Sequence, residues 1–384
     1  MFSRRTQWNL EPNRLTVAHQ AAIASGKKII DLTISNPTRA EIHYDEPTIL
    51  KALSNPESLD YDPQSKGLRS AREAVAAYYA PAIDPESLIL TTSTSEGYSF
   101  VFRLLCNPGD EILVPKPSYP LFDFLAELQD VALVPYSLIY DHGWQIDLHS
   151  LKNALTPKSR AIVLVHPNNP TGSYISAQER QDLNDVCRKH KLALIVDEVF
   201  LDYAHDKPQP TFAANRDALT FTLSGISKIS ALPQMKLAWI AVSGPPAEVD
   251  PAMQRLDVIA DTYLSLNAPV QLAAPVLLDQ RKTIQPQLMR RVRANLAELD
   301  RQLAAQRSCA RLEIQGGWYA VLRIPVTRSD EDFAIELLQR SGVLVHPGHF
   351  YDFPGDGYLV LSLIATEAEF RSGVSAVLQF ADSL

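Results

Sequence analysis

Lys228 closes the segment Ser224-Gly225-Ile226-Ser227-Lys228, where its neighbours are small or apolar. A lysine partly withdrawn from water has a lowered pKa, and its neutral amine can form a Schiff base with a carbonyl. Read alone, the same residue is equally an exposed loop lysine. Asp197 and Glu198 follow directly on the apolar run Leu192-Ala193-Leu194-Ile195-Val196. Such a carboxylate is either a solvated strand end or an acid placed to hold a protonated ring nitrogen. Ser93, Thr94 and Ser95 enter a helical stretch, where unpaired backbone N–H groups and a partial positive charge suit a phosphate. A plain serine N-cap is the alternative reading there. Asn168-Asn169-Pro170-Thr171-Gly172 is a turn sequence that ends another apolar run, 161–165.

An imine-forming lysine, an acid for a ring nitrogen and a phosphate cradle together describe one cofactor, pyridoxal 5'-phosphate. The motifs of competing cofactors and nucleophiles are absent from the sequence: no G-x-G-x-x-G, G-x-x-x-x-G-K-[ST], H-E-x-x-H or G-x-S-x-G occurs. His346 and His349 are spaced like metal ligands but flank Pro347-Gly348 with no cysteine or carboxylate beside them, so no metal is expected.

These clusters need a scaffold that brings them together. Short β-branched runs alternate with helical patterns through the middle of the chain, which predicts an α/β fold with a mostly parallel sheet. Strands are expected at 88–91, 111–114, 161–165, 192–196 and 219–223, with a helix over 96–106. Ser176 and Glu179 form a capping box that starts a further helix running to about residue 190. Each polar cluster then falls at the C-terminal end of a strand, the edge where open α/β sheets bind ligands. The runs 317–325 and 331–341 read as elements of a smaller domain, with 346–349 as a loop facing the cleft.

Composition narrows the field further. At roughly 150 residues per domain, 384 residues suggest two or three folding units. Hydrophobic residues make up 46% and charged residues 21%, as in a globular chain able to bury a large core. With 36 basic and 44 acidic residues the net charge is −8, which argues against a nucleic-acid surface. Cys106, Cys187 and Cys309 lie far apart, so no disulfide framework is expected and a reducing cytoplasm suits the chain. Neither a signal-peptide core nor an 18-residue apolar window is visible, so no membrane partner is expected.

From about residue 31 to 365 the chain resembles the class I/II aminotransferases, pyridoxal-phosphate enzymes of the type I fold in the aspartate aminotransferase superfamily. Asn169 sits in the family's N-P-T-G turn, which implies a hydrogen bond to the cofactor ring oxygen. Asp197, in Val-Asp-Glu-Val-Phe, matches the pyridine-nitrogen aspartate, and Lys228 matches the Schiff-base lysine, with Ser227 beside it among the cofactor contacts. Ser93, Thr94 and Ser95 match the phosphate turn, and Tyr119, in Pro-Lys-Pro-Ser-Tyr-Pro, the residue that stacks on the ring. Tyr61, six residues before Gly67, resembles the tyrosine that reaches the phosphate of the partner subunit's cofactor. Lys236 stands where the family has an arginine on the phosphate.

The resemblance implies a large cofactor-binding domain, 45–265, with a mostly parallel sheet flanked by helices. It also implies a smaller α+β domain built from 1–44 and 266–384, and a homodimer with shared active sites. The implied reaction moves an amino group from an amino acid to a 2-oxo acid through Lys228. A lyase or decarboxylase acting at Cα would share every one of these motifs. A non-enzymatic effector-binding protein is a third reading, against which the negative charge and the early start of the family-like segment Leu32-Thr33-Ile34-Ser35-Asn36-Pro37-Thr38 weigh.

The sequence departs from the family pattern in several places. Gly225 replaces a serine, Phe200 replaces a tyrosine, and Val360 stands where an arginine clamps the substrate's α-carboxylate. Arg39 and Arg323 are the cations that could replace it. The stretch 261–267, where dicarboxylate-specific relatives present an arginine, has none, which favours a neutral amino donor over aspartate or glutamate.

Overall fold

Strands buried on both faces read as unbroken apolar runs, and here they form the centre of the molecule. In the computed structural model, which describes residues 1–120 and 122–384, a short strand β1 (Ile30–Asp31) precedes the main sheet. That sheet is built from β2 (Leu88–Thr91), β3 (Glu111–Lys116), β4 (Ala132–Tyr140), β5 (Trp144–Ile146), β6 (Ser159–Val165), β7 (Ala193–Asp197), β8 (Thr220–Gly225) and β9 (Ala238–Ser243). Its order is β2-β9-β8-β7-β6-β3-β4-β5. The pairs from β4 through β3, β6 and β7 to β8 are parallel, while β9, β2 and β5 close the edges antiparallel. The α/β architecture expected from the alternating pattern is thus the one observed.

Helices cover both faces. Phe100, Val101 and Phe102 of the Thr94–Leu105 helix pack with Met253 and Leu256 of the Pro246–Tyr263 helix on one side. Leu183, Val186 and Cys187 of the Ala177–His190 helix bury against Leu113, Leu164 and Leu194 on the other. That helix starts with the reciprocal Ser176–Glu179 capping box.

A second, antiparallel sheet, ordered β10-β11-β14-β13, contains β10 (Ala310–Arg311), β11 (Tyr319–Arg323), β13 (His346–Pro347) and β14 (Tyr358–Ser362). A further strand, β12 (Val343–Leu344), pairs in parallel with β1 and so ties the N-terminal segment to this smaller body. The 346–349 segment was expected as a loop. It begins instead as a strand, because His346 and Pro347 pair with Val360 and Leu359, and the turn Gly348–Tyr351 follows.

The packing handover falls later than the expected boundary at 265. Val270, Ala273, Ala274 and Leu277 of the Ala268–Asp279 helix bury with Ile49, Val75, Leu88 and Trp239, on the side of the main sheet. The Arg281–Leu303 helix then carries the chain across to the second sheet, where Leu288 and Val292 join Leu361 and Phe370. Two contacts pin the smaller body back onto the end of β3. Ser118 N donates to the Tyr351 carbonyl at 2.9 Å, and Lys116 pairs with Asp352 at 2.9 Å.

Candidate active site

Five strand ends of the main sheet converge on one cavity of about 220 Å³. At the end of β2, Ser93 caps the Thr94–Leu105 helix by accepting from Glu96 N at 3.2 Å. Its side chain is therefore used by the helix, and it is Thr94 and Ser95 that line the cavity. One turn on, Tyr98 lies on the same helix face. Its hydroxyl donates to Asp197 Oδ2 at 3.2 Å.

Asp197, the last residue of β7, also accepts from Val199 N at 3.1 Å on Oδ1. Burial pushes its carboxyl up to about 6, against the pull of these two donors and of Lys228. Glu198 turns the other way, as alternation along an extended segment requires. Its carboxylate accepts from Phe212 N and Thr211 Oγ1, both at 2.6 Å, and burial raises it to about 7. Of the acidic pair, only Asp197 faces the cavity.

The strand β8 ends in Gly225, and the short helix Ile226–Ile229 then presents Lys228. A Cβ on Gly225 would meet Ala238 Cβ at 2.9 Å and the Leu237 carbonyl at 3.0 Å, so the close approach of β9 leaves no room for the serine seen in relatives. Tyr203 Oη donates to the Lys228 carbonyl at 2.7 Å and steadies the turn. The Lys228 Nζ lies 5.5 Å from the Phe200 ring centre and 5.1 Å from that of Trp318. Burial lowers this amine to about 8, with Asp197 pulling in the opposite sense.

After β6, Thr171 donates to Asn168 Oδ1 through its hydroxyl at 2.9 Å and its backbone N–H at 3.3 Å. Gly172 sits at φ +70°, where a Cβ would lie 2.4 Å from the Gly316 carbonyl, so the turn admits only glycine. The adjacent Asn169 enters the cavity with its side-chain oxygen buried and without a hydrogen-bond partner. Tyr119, following β3, stands at the rim and is 46% exposed.

Other sequence candidates lie elsewhere. Lys236 is exposed beyond the Pro233–Met235 turn, in a left-handed conformation (φ 56°), and does not line the cavity. Tyr61 is 84% exposed and lines a different hollow of about 230 Å³ with Gln64, Leu264 and Asn267. Arg323 is exposed at the far end of β11, its guanidinium 5.5 Å from the Tyr358 ring centre, and Arg39 is exposed on the Pro37–Arg39 turn. Neither arginine lines the cavity.

Conversely, Tyr98, Ser35 and Tyr319 line the cavity without having been singled out. The four-residue spacing from Thr94 could have pointed to Tyr98. No local signal marks Ser35 or Tyr319, which come from segments far away in the chain.

The residues present fit pyridoxal 5'-phosphate. Asp197 offers an acid for a ring nitrogen, Lys228 an amine for an aldehyde, and Thr94 and Ser95 a helix start for a phosphate. The orphaned Asn169 amide is a buried polar group that lacks a protein partner and that a ring oxygen would satisfy.

The sequence family described as aminotransferase class I and II matches residues 27–376. Alanine aminotransferase of Mycobacterium tuberculosis is 27% identical, over 93% of this chain and 86% of its own length. Glutamate-pyruvate aminotransferase AlaA of Haemophilus influenzae is 28% identical, over 88% and 87% respectively. Among solved structures, an alanine aminotransferase from Pyrococcus furiosus superposes with a TM-score of 0.90 at 22% identity, covering both chains completely. A Thermus thermophilus aspartate aminotransferase variant superposes at 0.84 with 21% identity over the same full coverage.

Proposed function

The chain belongs to the class I and II aminotransferases, and from that premise we propose that Lys228 and Asp197 are the catalytic pair of a pyridoxal-phosphate-dependent aminotransferase. The cofactor would be held by Thr94, Ser95, Tyr119, Asn169 and Ser227, with Ser93 keeping the helix start in place. Lys236 is left out of that set because it lies outside the cavity. When bound, the cofactor supplies an electron sink for the charge that develops on the substrate's α-carbon.

The remaining chemistry falls to the chain's own groups. Lys228 Nζ, lowered to about 8, is neutral in an appreciable fraction near neutral pH, so it can bond a carbonyl and later carry a proton from Cα to its new position. Asp197 holds negative charge opposite a ring nitrogen, and the hydrogen bonds from Tyr98 and Val199 fix its orientation. The observation that carries this reading is that Lys228 and Asp197 share one cavity with hydroxyls and an amide that the protein itself leaves unpaired.

Beyond those two charges the described lining is uncharged, which supports an amino donor with an uncharged side chain and a 2-oxo acid acceptor. The names of the relatives make alanine with pyruvate the first pair to test. Borohydride reduction of the loaded enzyme followed by peptide mass spectrometry should place the phosphopyridoxyl group on Lys228. Lys228→Ala should lose that adduct and at least about 10²-fold in turnover, the share of a positioned proton carrier. An adduct on any other lysine would overturn the assignment.

The reading extends to a homodimer with shared active sites, in which Tyr61 serves the partner's cofactor. Support comes from the exposed apolar side chains around it, including Leu59 and Leu50. A cytoplasmic setting is supported by three cysteines that are all unpaired.

A further inference from the structure

We propose that the acid group of the amino substrate is held by the Tyr351 hydroxyl backed by His346, in place of a cation. This rests on the aminotransferase reading of the cavity and adds a residue-level account of substrate choice.

Among the described residues that line the cavity, Lys228 is the one cation and Asp197 the one anion, and both are committed to cofactor chemistry. An α-carboxylate buried there without a partner would be costly, so other donors must meet it. The register of the smaller sheet shows where they come from. Val360 on β14 stands opposite Val321 on β11 and opposite His346 on β13, so the three share one face of that sheet. Tyr319, two residues before Val321, is on the same face and lines the cavity, so this is the face turned to the cleft. Val360 is fully buried and aliphatic, and the imidazole beside it is the basic group nearest to it in that row.

His346 Nδ1 lies 3.0 Å from Tyr351 Oη. The Tyr351 hydroxyl is within electrostatic reach of both Tyr319 and Tyr119, two cavity-lining tyrosines on opposite sides of the cleft. Its backbone is pinned to the main body by the bond from Ser118 N, one residue before Tyr119. The pair therefore sits at the junction of the two bodies.

The direction of this hydrogen bond supplies the chemistry. If Nδ1 of His346 donates to the tyrosine oxygen, the Tyr351 O–H proton is free to point at an oxyanion. An arriving carboxylate favours that arrangement, and protonation of His346 adds the missing positive charge only when an anion is present. Asp31 of β1, the acidic group that reaches His346 from a neighbouring element, acts in the same direction. Burial opposes the charged imidazole in the absence of such an anion.

The test compares an amino acid with its decarboxylated amine in the loaded enzyme, using L-phenylalanine with phenethylamine and L-alanine with ethylamine. Tyr351→Phe and His346→Gln should each raise KM for the amino acid by about tenfold to a hundredfold, the size of a hydrogen bond to a charged group. Turnover number should change less, and kcat/KM for the amine should stay put, which a general loss of structure would not produce. Binding of 3-phenylpropionate, followed through the absorbance of the bound cofactor, should weaken by the same factor and needs no turnover. Unchanged affinity in both variants overturns the proposal, as does loss of carboxylate preference in Arg39→Ala instead. If no donor is turned over but 3-phenylpropionate still depends on Tyr351, the acid site stands and the aminotransferase reading falls.

Discussion

Asp197 is the residue at which function and stability pull apart. In the cofactor-free fold its carboxyl keeps a proton up to about pH 6, against a model value of 3.8. The fold thus binds this proton more tightly than the unfolded chain does. That contribution is complete below pH 3.8 and is lost as pH rises through 6, beyond which the ionised group is a net cost. The side chain is only partly shielded, so the cost above pH 6 is roughly 1–3 kcal/mol. Asp197→Asn keeps the shape and removes the titration. Its cofactor-free form should melt higher than wild type at pH 8 and match it at pH 4, while turnover collapses. Glu198 is present in both proteins and cancels from the comparison. Identical melting at pH 8 would mean that the ionised carboxylate is not strained by its burial.

At the scale of elements, the start of the Thr94–Leu105 helix separates two roles that adjacent serines play. Ser93 satisfies Glu96 N within the protein, whereas the Ser95 side chain lines the cavity. Ser93→Ala should therefore lower unfolding free energy by about 1 kcal/mol, as loss of an N-cap does, with little change in affinity for pyridoxal phosphate. Ser95→Ala should do the reverse, leaving stability alone and weakening pyridoxal phosphate by about tenfold through one lost bond to a charged phosphate. Denaturant melts and titration of the cofactor-stripped protein read the two effects separately. If both variants change both quantities equally, the division of labour is wrong. The same logic explains Gly225, which β9 crowds too closely for a serine to be accepted.

For the whole molecule, the exposed Leu59 (91%), Tyr61 (84%) and Leu50 (61%) leave apolar surface that a second copy would cover. Analytical ultracentrifugation should find a two-chain particle at micromolar concentration. Leu59→Asp should shift it toward single chains, with turnover falling in step because Tyr61 would no longer meet a partner's cofactor. Full turnover from a single-chain particle would sink the shared-site reading. Within one chain, the Lys116–Asp352 pair and the Ser118–Tyr351 hydrogen bond join the two bodies beside Tyr119, so the cleft wall is set jointly by both.

The sequence by itself determined the α/β layout and the chemistry at the strand ends. Apolar runs, capping boxes and turn residues are short-range signals, and the clusters holding Ser95, Asn169, Asp197 and Lys228 each follow such a run directly. Tertiary structure alone decided which side chains of those clusters turn inward. Asp197 faces the cavity while its neighbour Glu198 is consumed by the Thr211–Phe212 turn, and Lys236 is aimed at solvent by the backbone after Pro233–Met235. The register that sets His346 beside Val360, and the contact between Lys228 Nζ and the Ser35 carbonyl at 3.5 Å, join segments that no local pattern connects. Side-chain aim depends on strand pairing and on the packing of distant layers, and those are properties of the folded whole rather than of any window of residues.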